Sequence, residues 1–240
     1  MMGRSHFVIS TGLTLSALAI LNQPITIPAI LITGISALLP DIDEPNSLIV
    51  SRTLPKGLIR LLQLLLIATG AVVFFSGVMP WPWNIGIAIA IGLFSFLPLR
   101  TLRNMCMVGI GTSLIVVGQG IAPWNYIIGA LLVVCVFLPH RGLTHTIYGL
   151  GIWAAILYFA SHEISSAIWI GGSLSYALHL LADSLTNRGI RPLPPFKYRL
   201  KFNLMSTGSR WGGVVEGACI GLTVIILVIT FYTGRFQIYW

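Results

Sequence analysis

Nine apolar runs, each bounded by turn-forming residues, leave this chain few ways to fold. They lie at about 6–22, 25–39, 58–79, 83–99, 105–121, 123–139, 145–160, 164–186 and 213–233. Most approach the roughly 17–25 residues that a helix needs to cross a hydrocarbon core. The breaks are Asn22-Gln23-Pro24, Pro40 to Pro55, Pro80 to Trp83, Pro98 to Asn104, Pro123, and Pro139 to Gly142, all sequences that stop helices. Hydrophobic residues make up 56% of the 240 positions and charged residues 8%, with a mean hydropathy of +0.90. A soluble domain carries about a quarter charged residues, so lipid is the expected solvent. The reading is an all-α, polytopic transmembrane helical bundle of about nine helices, forming one domain over 1–240. Arg4 and the run after it lack a small-residue cleavage site and read as a retained anchor. Cys106, Cys135 and Cys219 sit singly inside apolar runs and read as buried hydrophobes, with no disulfide or thiolate site expected.

The net charge of +8 has a membrane explanation. With the N-terminus in the cytoplasm and each run crossing once, 13 of the 14 Lys and Arg fall on the inner side, leaving Arg235 outside with the C-terminus. That asymmetry is the positive-inside bias. Trp81, Trp83, Trp124 and Trp169 then form an outer interfacial belt. The basic residues flank apolar runs with few aromatics interleaved, so no nucleic-acid partner is expected. The longest stretch outside the runs, 187–212, combines Pro, Arg and Lys with Phe196, Tyr198, Phe202 and Trp211. Such a segment suits the inner leaflet, and membrane lipids with anionic headgroups are the partners expected near 188–210.

The chain has only six acids and five histidines. His162 and Glu163 share an outer turn in this topology. His6, Asp41, Asp43, Glu44, His140, His145, His179, Asp183 and Glu216 all fall at or near cytoplasmic helix ends. Ionisable groups at membrane depth are costly, so their convergence on one face marks a functional site. Asp41 and Asp43 flank Ile42, a spacing that turns both carboxylates the same way in an extended stretch; a solvated turn has the same composition. In His140-Arg141-Gly142-Leu143-Thr144-His145-Thr146, Gly142 offers a bend that brings both imidazoles together, and Thr144 is the expected N-cap of the next helix. Arg141 offers a donor fork suited to phosphate or carboxylate. His179 and Asp183 stand four apart, on one helical face, placed either to ligate an ion or to pair with each other. Imidazole and carboxylate without thiolate suit a divalent ion: zinc first, then manganese, magnesium or iron. The ligand count accommodates one ion or two. Nucleophile-elbow, P-loop and dinucleotide fingerprints do not occur.

Four motifs carry a resemblance: His6, Leu38-Leu39-Pro40-Asp41-Ile42-Asp43, the 140–146 segment, and Tyr176-Ala177-Leu178-His179-Leu180-Leu181-Ala182-Asp183-Ser184-Leu185-Thr186. With Gly189, Leu193 to Pro195, and Gly208-Ser209 leading to Glu216, they resemble the YdjM-type bacterial inner-membrane metal-dependent hydrolases. The resemblance implies a hydrolase of the bacterial cytoplasmic (inner) membrane, with metal ligands at His6, Asp41, Asp43, His140, His145, His179 and Asp183. Candidate catalytic residues are Asp43, His145, Arg141, which would steady phosphate, and Glu216, as ligand or base. The pattern is also distantly similar to the zinc-dependent phospholipase C and P1 nuclease group, which implies a phosphoester substrate, here a lipid or lipid-linked one at the cytoplasmic leaflet. Relative to short family members, 44–139 reads as an insertion of four helices, an even number that returns the chain to the same side. The rival expectation is a transporter or metal-handling membrane protein using the same cluster, although a pathway calls for polar groups on the outer half, where this sequence has almost none.

Overall fold

The computed structural model describes residues 1–42, 47–77, 79–137, 142–236 and 238–239. Among them are ten α-helices: α1 (Gly3–Ile20), α2 (Ile27–Ser36), α3 (Leu48–Thr53), α4 (Lys56–Phe75), α5 (Trp83–Ser95), α6 (Leu99–Val117), α7 (Trp124–Phe137), α8 (Ile147–Ser161), α9 (Ser166–Ser184) and α10 (Arg210–Tyr232). Nine of the ten fall on the nine apolar runs. The addition is α3, six residues within the proline-bounded stretch 40–55. Among the described residues, extended pairing is limited to Ile25–Thr26 lying parallel to Ile238–Tyr239 and to single bridges at Thr186–Met205 and Ile190–Leu200.

The chain divides into two compact units, Met1–Leu48 with Phe137–Trp240, and Ile49–Val136. The second falls inside the 44–139 segment read above as inserted helices. In the first unit α9 packs against α1, α2 and α8, and α1 also packs against α10. Gly171 and Gly172 permit that proximity. A Cβ on Gly171 would stand 2.7 Å from Thr33 Oγ1 and one on Gly172 2.2 Å from Leu157 Cδ1. Ser175 Oγ donates to the Thr33 carbonyl (2.8 Å) and Trp153 Nε1 to Ser36 Oγ (2.9 Å), joining α9 and α8 to α2. Small residues and interhelical hydrogen bonds are what join helices where the solvent is as apolar as their side chains.

The second unit packs α4 against α5 and α6. Gln63 Nε2 donates to the carbonyls of Ser95 (2.9 Å) and Leu97 (3.2 Å), satisfying acceptors at the end of α5. Pro98 follows, and α5 and α6 are bent by 105° across the break.

Among the described residues two helices, α4 and α10, are long and apolar enough to cross a membrane; the bent α5–α6 pair makes a third if it counts as one span. α2, α7 and α8 are apolar but shorter. The 10 residues of α2 extend about 15 Å, roughly half a hydrocarbon core of about 30 Å. The nine runs are therefore helices without being nine full-length crossings. α1 and α9 have the length, but bury Ser5, His6, Ser10, Thr14, Ser175, His179 and Asp183 on the faces turned inward.

Candidate metal centre

Four segments of the first unit bring their ionisable side chains to one place. His6 lies in the first turns of α1. Asp41 closes a 3₁₀ turn, Leu39–Asp41, held by Asp41 N–H donating to Leu38 O (3.2 Å) and Ile42 N–H to Leu39 O (3.0 Å). The α-helix stops at Ser36, four residues before Pro40, whose nitrogen has no proton to give the Ser36 carbonyl and whose ring would crowd it. Asp41 thus sits in a tight turn rather than in the extended stretch expected from the sequence.

His145 closes a second 3₁₀ turn, Leu143–His145. This turn delays α8 to Ile147, so the N-cap is Thr146 rather than the expected Thr144. Thr146 Oγ1 accepts from Gly149 N–H (3.1 Å) and donates to Leu143 O (2.7 Å). The Tyr176 hydroxyl of α9 donates to Thr144 O, and Thr144 Oγ1 lies 3.2 Å from His145 Nδ1. The imidazole is therefore anchored from its own turn and from α9.

His179 and Asp183 project from adjacent turns of α9, both buried. His179 Nδ1 is 2.7 Å from the Ala37 carbonyl. A carbonyl can only accept, so Nδ1 carries the proton and the Nε2 lone pair faces inward. A ring nitrogen fixed by a backbone carbonyl is the usual support of a metal-ligating histidine.

Asp183 is the hub. Its Oδ1 is 3.2 Å from His6 Nε2, and its Oδ2 is 3.4 Å from His145 Nε2. Asp41 Oδ1 approaches His145 Nε2 at 3.4 Å and His179 Nε2 at 3.9 Å. The His6 and His179 rings stack with centroids 4.0 Å apart, and His145 meets His179 edge-on at 5.8 Å. Among the described residues two sets of ligand atoms form, each with its members within 4.8 Å of one another: His6–His179–Asp183 and Asp41–His145–His179.

The donors fit a divalent ion. His6 Nδ1 and His179 Nε2 are buried without a hydrogen-bond partner, although burying an unsatisfied polar atom costs on the order of 1–3 kcal/mol. The His179 lone pair faces a carboxylate oxygen too distant for a hydrogen bond, and a cation between them resolves that repulsion. Nitrogen and oxygen donors without sulfur suit zinc or manganese. The two turn residues respond to the same crowding. Burial pushes the Asp41 carboxyl upward, but the His145 hydrogen bond and the neighbouring imidazoles hold it down at about 2. Burial pushes His145 downward, but hydrogen bonds to Asp183 and Asp41 raise it to about 9.

The remaining sequence candidates divide in two. Asp43, Glu44, His140 and Arg141 lie outside the described residues. Glu216 is buried on α10, with Oε2 accepting from Ser5 Oγ (2.5 Å) and Oε1 from Met2 N–H (3.2 Å). Its two oxygens tie α10 to the start of α1, one residue from His6, and neither ligand set includes it. His162 and Glu163 pair at 3.8 Å at the far end of α8, half-exposed and exposed. Sequence reasoning missed the Ala37 carbonyl, Ser5 and Tyr176. Tyr176 had a signal, standing one turn before His179 on the same helix.

Among known proteins, a family model described as YdjM inner membrane protein matches residues 1–237. No curated protein and no solved structure matches the chain.

Proposed function

The chain thus belongs to the YdjM inner membrane protein family, and from that premise we propose that it is a membrane-bound metal-dependent hydrolase, a phosphoesterase acting on a lipid or lipid-linked phosphoester. The observation that carries this reading is the meeting of His6, Asp41, His145, His179 and Asp183 at one buried point.

In this reading His6, His179 and Asp183 would hold a divalent ion, and Asp41, His145 and His179 would offer donors to the same ion or to a second one. Asp43 and His140 join the ligand set through the motifs they share with Asp41 and His145, and Arg141 steadies the substrate phosphate. A divalent ion, zinc first, supplies Lewis acidity at a phosphoryl oxygen and a lowered pKa for the attacking water. Asp41 has the most exposed of the five side chains, at 23% against 2% or less for the others, so substrate and water approach on its side. Tyr176, Thr144 and the Ala37 carbonyl position the imidazoles, and Glu216 holds the His6 helix in register. The excess of Lys and Arg on the side assigned to this end from the sequence supports a cytoplasmic placement, N-terminus inside.

Metal analysis of the purified protein, joined to His179→Ala and a panel of phospholipids and lipid phosphates, tests the proposal. The expected result is one or two bound divalent ions, lost in the variant, with headgroup or phosphate released only by the loaded wild type. A protein that binds no divalent ion, and that His179→Ala leaves unchanged, would refute it.

One observation favours a second reading, cation transport. Ser10 and Thr14 follow His6 at successive turns of α1, and with Thr33 of α2 they are buried with hydroxyls that have no hydrogen-bond partner. This polar file leads away from the ligand cluster into the bundle. Metal uptake into proteoliposomes without product release would select transport over hydrolysis.

A further inference from the structure

The segment between Asp183 and Glu216 contains no acid and six cations, Arg188, Arg191, Lys197, Arg199, Lys201 and Arg210. All six are exposed, and among the described residues none pairs with a carboxylate. The segment has a defined fold. Gly189 turns the chain at φ +61°, and Ile190 and Leu200 exchange backbone hydrogen bonds at 3.0 and 2.9 Å, closing a hairpin whose tip turns at Phe196 N–H donating to Leu193 O. The tip exposes Leu193 (41%), Phe196 (69%) and Tyr198 (66%), interleaved with Lys197 and flanked by Arg191, Arg199 and Lys201.

The hairpin is fastened to the ends of the helices that carry the ligands. Phe202 N–H donates to Ser184 O (2.8 Å), Leu204 N–H to Leu185 O (3.0 Å) and Asn187 N–H to Met205 O (2.9 Å), directly after Asp183. Ile147 N–H donates to Pro192 O (2.9 Å), two residues after His145. Met205 is buried against Met1, Ile9 and Ala182. On its other side, Trp211 Nε1 donates to Leu204 O (3.2 Å) at the start of α10.

That last bond sets the level of the hairpin in the bilayer. α10 is one of the helices able to span, and its 23 residues reach about 34 Å, so its Arg210–Trp211 end lies at a membrane interface. Glu216, beside the His6 helix, is six residues further in, about 9 Å along the axis. The hairpin thus stands at headgroup level, with the ligand cluster just beneath it. Aromatic side chains among cations at that level match an anionic lipid surface: the rings settle among glycerol and upper acyl groups while the cations meet phosphates.

We propose that the 190–200 hairpin is a docking surface for anionic phospholipid, inserting its tip into the leaflet beside the ligand cluster. Docking is a property of the hairpin and the bilayer and requires no turnover, so its failure is separate from failure of the hydrolase reading.

The test uses the full chain in nanodiscs of phosphatidylcholine alone or with added phosphatidylglycerol. A fluorophore is placed through Tyr198→Cys in a background of Cys106→Ala, Cys135→Ala and Cys219→Ala. Quenching by lipids spin-labelled near the headgroup is expected to be at least about twofold stronger with phosphatidylglycerol, from surface attraction of the cations. The gain disappears when Arg191→Gln, Lys197→Gln, Arg199→Gln and Lys201→Gln are combined, with bound metal unchanged. Native mass spectrometry of the cysteine-intact protein gives a second reading: preferential retention of phosphatidylglycerol over phosphatidylcholine, lost in the same variant. Quenching by aqueous iodide that is equal in both lipids, or equal retention of the two lipids, overturns the proposal.

Discussion

The two compact units hold their helices together by different means. In the first, α9 closes on its neighbours through glycines and through hydroxyls, imidazoles and a carboxylate, and residues such as Ser175 and His179 have no exposed surface. In the second, only 11% of the most apolar stretch of α4 is buried, and the polar contacts between its helices are sparse: Gln63 on the carbonyls at the end of α5, and Asn125 Nδ2 of α7 donating to Leu114 O of α6 (3.4 Å). Apolar surface alone does not drive helices together in lipid, where tails compete on equal terms with Leu and Ile. Where the sequence supplies small and polar residues at facing positions, a tight and specific interior results; where it supplies a uniform apolar face, the helices stay broadly lipid-exposed. The His and Asp cluster lies in the unit with the polar interior, and the difference can be broken from either side.

The largest effect is expected at the hub. Asp183→Asn removes the charge that His6 and His145 share and should weaken metal binding by more than the roughly 10–100-fold cost of disturbing an outer-shell partner, measured by metal titration of the purified protein. An exchange in the second unit, such as Gly86→Ala with nothing within 4 Å of the new Cβ, should leave metal binding unchanged. Equal losses in both would erase the distinction.

Next is proton competition at His145. With its pKa raised to about 9, the ion-free imidazole carries a proton at neutral pH that an incoming ion must displace. Apparent affinity should then climb about tenfold per pH unit and level off above about pH 9. Asp41, held at about 2, stays ionised across that range and adds no slope. For the ion-free protein the signs are opposite for the two groups. The His145 contribution to stability is full below the ordinary imidazole value and is lost as pH rises through about 9. The Asp41 contribution is full above the ordinary carboxyl value and is lost as pH falls through about 2. Proton release measured by calorimetry in buffers of differing ionisation enthalpy checks the count.

Packing comes third. Gly172→Ala places a methyl against fully buried Leu157 and within 3.0–3.1 Å of Ile32 and Ser36, and should destabilise the fold by about 1–3 kcal/mol. Gly86→Ala meets open space and should be neutral or stabilise α5 by up to about 1 kcal/mol. Thermal unfolding in detergent compares the two, and matching shifts would remove the packing distinction. The smallest effect belongs to Gln63→Leu, which strips two carbonyls of their donor at a cost of about 1 kcal/mol and leaves bound metal at the wild-type value.

What could be read from the sequence follows the same division. The nine helices were legible because the apolar runs are long and their breaks contain Pro, Gly and Asn, signals that act locally. α3 was not, since six residues between prolines carry no periodicity. The gathering of His6, Asp41, His145, His179 and Asp183 was anticipated from shared placement at helix ends, without any of the contacts that produce it. The tautomer of His179 depends on the Ala37 carbonyl, and main-chain acceptors leave no mark in residue type. The two 3₁₀ turns were hidden for a related reason: a Thr at position 144 and another at 146 are equally good caps, and tertiary anchoring by Tyr176 decides between them. The expected nine crossings counted apolar content and missed that α2 is too short and that α1 and α9 spend part of theirs on polar inward faces.

The bond from Ser5 to Glu216 joins residues 211 positions apart, which gives the centre a place in time as well as in space. A ribosome delivers His6 well before Glu216, with the whole of Ile49–Val136 made between them. Until α10 emerges, Ser5 lacks the Glu216 carboxylate, and until α9 emerges His6 has no Asp183 to face. A nascent chain that stops short of α9 therefore holds His6, Asp41 and His145 without the His179 and Asp183 that gather them.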